Sequence, residues 1–259
     1  MKRILSLVVT GLMLVSCGSL NLDTARLMQS GIYAAQALSL TDAQVQAYVH
    51  QYITRLDAQS TILPENNAYT KRLRKLTAGL DGVNEVPLNF KVYKENEVNA
   101  FACADGSVRV YTGIMDAMTD NELLGVIGHE IGHVALNHTR RQMRNAILTS
   151  AAMEGLASTS STIAALTDSQ LGAIGSAILD AKVSRDQESE ADDYGYNFLV
   201  KAGKNPWAIV MSFEKLQALS GGSQSGPVSN LFSSHPDTAT RIRRMTERCN
   251  TDGYKRPSK

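Results

Sequence analysis

The segment His129-Glu130-Ile131-Gly132-His133 sets two histidines four residues apart, with a glutamate beside the first. On an α-helix, side chains at i and i+4 project from one face, so both imidazoles can grip one divalent ion. Zn²⁺ suits such a nitrogen-rich site, and a catalytic zinc keeps three protein ligands and one open position. The ion brings the pKa of its water from about 15.7 to about 7, giving a nucleophile at neutral pH. Glu130 stands where it can take the proton of that water and deliver it to a leaving amine. The competing reading is a surface helix with two unrelated histidines. Leu123, Leu124, Val126, Ile127 and Val134 surround the motif, and burying His and Glu without a partner is costly.

A third ligand must come from elsewhere. A metzincin continuation needs Gly three and His six residues after the second His. Leu136 and Thr139 hold those positions and exclude it. His138 lies five residues after His133, roughly 140° around a continuous helix, and reads as a packing or surface histidine. The acidic run Glu188-Ser189-Glu190-Ala191-Asp192-Asp193 remains. It sits on a helical pattern that includes Ala191, Phe198 and Leu199, so part of it can turn inward and supply the ligand.

Local signals show how these residues are positioned. Thr119 and Glu122 form a capping box that starts a long helix running to about residue 140 or beyond. Gly125, Gly128 and Gly132 give it a small-residue face, which predicts a very close neighbour. Thr41-Asp42 starts an earlier helix carrying Val45, Tyr48, Ile53 and Leu56. Another, near 65–80, carries Tyr69, Leu73 and Leu76, with Lys71, Arg72, Arg74 and Lys75 mostly outward. The alternating segment 88–93, the extended segment 98–103, the Asp105-Gly106 turn and the segment 108–111 predict a small, mostly antiparallel sheet. Residues 146–180 are rich in Ala, Ser, Thr and Gly, and are too hydroxylated and interrupted for a membrane span. Helices are expected over about 181–202, stopping at Gly203, and from Asn205-Pro206 to about Ser220. A Gly/Ser-rich loop follows at 221–226, and the last helix has Pro236 at its first position.

Taken together, HEIGH and the later SRDQESEAD resemble the HtpX-type and CAAX-prenyl-protease-type gluzincin metallopeptidases. The resemblance covers about residues 40–245. It implies a mainly helical α+β, zincin-like fold with the small sheet packed on the active-site helix. It implies Zn²⁺ with His129, His133 and Glu188 as ligands, and Asp192 holding a ligand imidazole; Glu190 is the rival ligand, but Tyr194, four residues after it, breaks the family's pattern. The Ser234-His235-Pro236 block with Arg241 matches the family's late segment, implying that His235 and Arg241 lie near the metal. There they would stabilise an oxyanion, or His235 would close the site. Glu97-Val98-Asn99-Ala100-Phe101 resembles the family's substrate-binding edge, so Asn99, Ala100 and Phe101 are expected to pair with an extended peptide.

At the amino terminus, Lys2 and Arg3 precede the apolar run Ile4–Val15, which ends in Leu14-Val15-Ser16-Cys17. This is a signal peptide over 1–16 that resembles a lipobox, implying lipidation of Cys17. A tether over 17–40, one metallopeptidase domain over 41–250 and a tail over 251–259 complete the expected organisation. Gly18 in place of Asp favours the periplasmic face of the outer membrane. In an exported chain Cys103 and Cys249 could form a disulfide, with two separate thiols as the alternative. Apolar content of 43% and a net charge of +1 in 259 residues fit a globular protein and argue against a nucleic-acid partner. The family's lipoprotein branch implies misfolded or misassembled envelope proteins as substrates and attachment to the membrane through the lipid. Oligomeric state is left open. Cys17→Ser is expected to give soluble or unprocessed protein on membrane fractionation. Membrane association unchanged by the substitution would refute the anchor.

Overall fold

The computed structural model describes residues 41–149, 171, 172, 175, 183–220, 235 and 238–257. Cys17 and the leader, the stretch 150–170, the loop 221–226 and Pro236 lie outside the described residues. No helix among those described is long and apolar enough to cross a membrane.

The chain opens with α1 (Asp42–Gln59), started by a capping box between Thr41 and Gln44. Helix α2 (Ala68–Thr77) follows, capped by Asn67. Strands β1 (Gly82–Val83) and β2 (Val86–Pro87) form a two-residue hairpin. Its central residues, Asn84 and Glu85, both have positive φ, as such a tight turn requires. Strands β3 (Asn89–Tyr93), β4 (Ala100–Ala102) and β5 (Ser107–Tyr111) form a second sheet in the order β3-β5-β4. The turn from β4 to β5 uses Gly106 at φ 84°, where a Cβ would lie 1.9 Å from Pro87 O. Only glycine fits both the conformation and the space.

This sheet is mixed, not uniformly antiparallel. β4 and β5 pair antiparallel as the turn signal predicts, but β3 runs parallel to β5 over five residue pairs. Strand alternation reports which face is buried and carries no information about the partner's direction, so the parallel pairing was not legible locally.

Short α3 (Thr112–Ala117) leads to α4 (Asp120–Ala135), which carries the HEIGH segment. Its capping box between Thr119 and Glu122 is present as expected. Arg72, expected to face solvent, instead turns inward. It donates to Met115 O, to Met118 O at 2.7 Å and to Asp120 at 2.6 Å, satisfying carbonyls at the end of α3 beside the start of α4.

The helix expected to run past residue 140 stops at Ala135. Asn137 has φ 60°, and a new helix, α5 (His138–Thr149), begins at once. Asn84 donates to Ala135 O at 2.6 Å and so caps the end of α4 from the β1–β2 turn. Helices α6 (Arg185–Lys201), α7 (Trp207–Ser220) and α8 (Thr238–Thr251) complete the described elements. The segment after α8 is held to the body. Tyr254 packs on the main core, and its carbonyl accepts from Trp207 Nε1 at 2.8 Å.

Helix α4 is the centre of the fold. From Leu123 to Ala135 every residue is buried. Its glycine face receives two partners, as the spacing predicted. A Cβ on Gly128 would lie 2.7 Å from Phe198 Cδ1, and one on Gly132 would lie 3.1 Å from Ala191 O, both on α6. A Cβ on Gly125 would meet Ile209 N of α7 at 3.3 Å.

Cys103 and Cys249 do not pair; both are free, buried thiols. Cys103 packs with Val45, Val49 and Ile53 of α1, whereas Cys249 belongs to the main core. Their different packing clusters give no route to the short Cβ–Cβ approach that a disulfide needs.

A buried ion pair ties α1 to the sheet. Arg109, only 2% exposed, donates to Asp57 through Nε at 2.8 Å and Nη2 at 3.0 Å. Lys91 and the Tyr93 hydroxyl donate to the same carboxylate. Burial alone would raise the Asp57 pKa, but the bonds from Arg109, Lys91 and Tyr93 override it and hold the group at about 2. A carboxyl depressed on folding stabilises the fold above its ordinary value, near 3.9, and loses that contribution as pH falls towards 2. Asp57→Asn should therefore lower stability at pH 6 by about 3–5 kcal/mol, since it strands a buried guanidinium. It should also flatten the loss of stability between pH 4 and 2, as read by urea unfolding across that range.

Candidate active site

Helices α4, α6 and α8 and residue His235 converge on one buried centre. His129 and His133, one turn apart on α4, bring their Nε2 atoms to 3.1 Å. Glu188, in the first turn of α6, lies with Oε2 3.5 Å from His129 Nε2 and Oε1 3.4 Å from His133 Nε2. His235 Nδ1 is 3.0 Å from Glu188 Oε1 and 3.3 Å from His129 Nε2. One ligand atom from each of these four residues falls within 4.8 Å of the others.

Those spacings fit a metal. Ligands about 2.0–2.1 Å from a tetrahedral ion stand about 3.3–3.4 Å from one another. The donor chemistry agrees, with imidazole nitrogens and a carboxylate. Glu188 is fully buried, and its Oε2 accepts no well-directed hydrogen bond, although Arg241 Nη1 lies 2.5 Å away. Formal charge points the same way. Glu130, Glu188 and Asp192 are all buried, and Arg241 is the cation buried with them. With the imidazoles neutral, as metal ligation requires, two formal negative charges are left over, which a divalent ion would neutralise.

The remaining polar atoms hold this set in place. His129 Nδ1 faces Asp192 Oδ1 at 3.0 Å, so its Nε2 is turned to the centre. Arg241 of α8 grips Asp192 with two bonds, Nε to Oδ2 at 2.9 Å and Nη2 to Oδ1 at 2.6 Å. Its guanidinium also stacks on the Phe213 ring, 4.2 Å from the centroid. Arg241 thus faces both carboxylates, and its Nη2 also lies 3.3 Å from His129 Nδ1, so the guanidinium clamps the groups around that imidazole. Phe213 was not singled out in the sequence. It looks like any apolar residue of α7, and no local pattern marks the cation above it.

The electrostatics separate the two helix histidines. For His129, burial and Arg241 oppose the charged form, but hydrogen bonds to Asp192 and Glu188 outweigh them and raise its pKa to about 9. For His133, burial dominates, with the neighbouring His129 and His235 adding to it, and the pKa falls to about 3. Glu188 and Asp192 are both held well below the ordinary carboxylate range despite burial. The facing histidines do this for Glu188, and Arg241 for Asp192.

Glu130 is buried, and its Oε1 lies 3.6 Å from His235 Nε2. A cleft beside it has an apolar wall of Val126, Phe213 and Leu216 and a polar edge of Glu130 and His235. Strand β4 is an edge strand of its sheet and packs against α4. Asn99 O accepts from Tyr111 N at 3.1 Å, and Ala100 is buried. The Phe101 ring packs edge-on against Tyr93 and Tyr111.

One expectation changes. Because α4 ends at Ala135, the helical angle assigned to His138 does not apply. His138 is fully buried, with Nδ1 3.1 Å from His133 Nδ1 and Nε2 2.8 Å from Glu190 Oε2. Glu190, the rival ligand, is thereby turned away from the centre, with a side chain 58% exposed.

The comparisons with known proteins agree with this geometry. Residues 64–249 match the model of Peptidase family M48. The chain is 42% identical over 250 residues to Metalloprotease LoiP of Escherichia coli K12, covering 96% of this chain and 98% of that one. It is 38% identical over 249 residues to Metalloprotease YcaL of the same organism, covering 95% and 96%. It is also 30% identical over 177 residues to the E. coli K12 beta-barrel assembly-enhancing protease, covering 64% of this chain and 35% of that longer protein. A match across most of the chain, meeting a paired-histidine and glutamate centre that can hold a metal, leads to one conclusion: the chain belongs to peptidase family M48 and is a metalloendopeptidase.

Proposed function

We propose that the chain is a zinc-dependent endopeptidase of the bacterial envelope that cuts misfolded or misassembled envelope proteins. The observation that carries the chemistry is the meeting of His129, His133 and Glu188, with Glu130 beside them. Three protein ligands with nitrogen and oxygen donors match the catalytic zinc arrangement better than an all-oxygen magnesium or calcium site. When bound, zinc supplies the Lewis acidity that activates water and polarises the scissile carbonyl.

The residues divide the remaining work. Glu130 accepts a proton from the attacking water and returns it to the departing amine. Asp192 and Arg241 keep His129 oriented, so that its Nε2 stays available. His235, the most exposed member of the centre at 15% of its side chain, faces Glu130 through Nε2 and can donate to a developing oxyanion. The outer backbone of β4 can pair with an extended peptide. Backbone pairing tolerates many side chains, which suits substrates recognised by being unfolded.

The envelope assignment rests on the leader and Cys17, which favour a lipid anchor at the outer membrane. A relative named for beta-barrel assembly supports misassembled membrane proteins as substrates. A second reading has an observation of its own. His235 Nδ1 sits close enough to Glu188 and His129 to act as a fourth ligand, which would leave a closed site on a substrate-binding protein.

Purified protein incubated with casein or an unfolded outer-membrane protein separates the two. Glu130→Gln should reduce cleavage at least about 100-fold, the scale of a lost general base, while zinc content by elemental analysis stays the same. Binding without cleavage by the wild type would favour the closed site. Glu188→Gln should bind zinc well below stoichiometry after gel filtration, and equal metal in both proteins would remove Glu188 from the ligand set.

A further inference from the structure

We infer that His138 and Glu190 are positioning residues, which set the tautomer of His133 through a hydrogen-bond relay and so present its Nε2 lone pair to the metal. The inference rests on the metal reading above and adds to it two residues outside the ligand set.

The direction of the relay follows from what each atom can do. A Glu190 carboxylate only accepts, so the 2.8 Å contact requires a proton on His138 Nε2. A neutral imidazole protonated at Nε2 has a lone pair at Nδ1. That lone pair faces His133 Nδ1 at 3.1 Å, so His133 Nδ1 must donate. Its own proton is then on Nδ1, and Nε2 is bare where it faces His129 Nε2 at 3.1 Å and Glu188 Oε1 at 3.4 Å. A doubly protonated His138 would reverse the relay and put a proton on His133 Nε2, where the metal belongs.

The two helix imidazoles are thus oriented from one helix by two routes. Asp192 holds His129 directly at 3.0 Å, and Glu190 holds His133 through an intervening ring. On α6, Glu188 and Asp192 are four residues apart and share a face, while Glu190 between them points elsewhere and cannot reach His133 itself. The break at Asn137 makes the bridge. It ends α4, and the ring of His138 lies against His133 and spans the gap.

The test uses full-length protein in detergent, zinc alone as the probe, and competition with a chromophoric chelator. Selective ¹⁵N-histidine NMR of the zinc-free protein reads the His133 tautomer independently of any activity. His138→Leu should weaken zinc about 10–100-fold, the usual scale for losing such a partner. It should also move His133 away from the Nδ1–H form. His138→Asn, whose Oδ1 lies near the lost Nδ1 and accepts, should recover most of the affinity. Glu190→Ala, a change at the surface, should weaken zinc in the same direction without unfolding the chain.

Zinc affinity and a His133 tautomer unchanged in Glu190→Ala and His138→Leu would overturn the relay. So would His138→Asn behaving no better than His138→Leu, since that pattern reports packing alone. If His138→Leu fails to fold, Glu190→Ala decides by the same two readouts. Failure of the wild-type protein to bind zinc is a different result, and it would remove the metal reading itself.

Discussion

The site depends on how closely α6 approaches α4. A ligand carboxylate on one helix and two imidazoles on another can share an ion only if the helix surfaces nearly touch. The glycines of α4 permit this. Phe198 occupies the space beside Gly128 that a side chain would fill, and the Ala191 backbone closes on Gly132. Gly195 answers from α6, where a Cβ would lie 3.1 Å from His129 N. Three glycines within a sixteen-residue helix lower its intrinsic propensity by about 1 kcal/mol each relative to Ala. Tertiary packing offsets that loss, and the capping box with its two acidic residues in the first turn of α4 adds local support.

Close packing then creates an electrostatic problem that the rest of the centre answers. Glu188 and Asp192 are fully buried, and an unpaired charge in such a place is prohibitive. Arg241 compensates part of it, bidentate on Asp192 and beside Glu188, with Phe213 covering its face. The imidazoles and a divalent ion account for what remains. Arg241 therefore links metal-site geometry to the docking of α8, and the terminal helix is a working part of the centre rather than an appendage.

Much of this was legible in the residues because it is local. The capping box at Thr119, the i,i+4 histidines, the glycine face and the Asp105-Gly106 turn each follow from spacing alone, and each stands as read. Long-range facts were not legible in this way. Residue types left the acidic run 188–193 open as the source of the third ligand, and resemblance to a family chose Glu188 before the distances did. Nothing near Arg72 announces that its guanidinium closes α3, and nothing in the alternation of β3 announces a parallel partner.

The end of α4 is the instructive case. Leu136-Asn137-His138 contains neither Gly nor Pro, so the hydrophobic pattern runs on and the helix seems continuous. Yet Asn is the non-glycine residue best suited to positive φ, and Asn just past a helix is a stop signal in its own right. Here it is reinforced from outside, since Asn84 on the β1–β2 turn donates to the Ala135 carbonyl left free at that end. Continuing the helix would carry His138 about 140° away from His133. Stopping it returns His138 to within 3.1 Å. A single backbone angle therefore decides whether the second ligand imidazole has a partner, and the short β1–β2 hairpin braces the helix end where that angle falls.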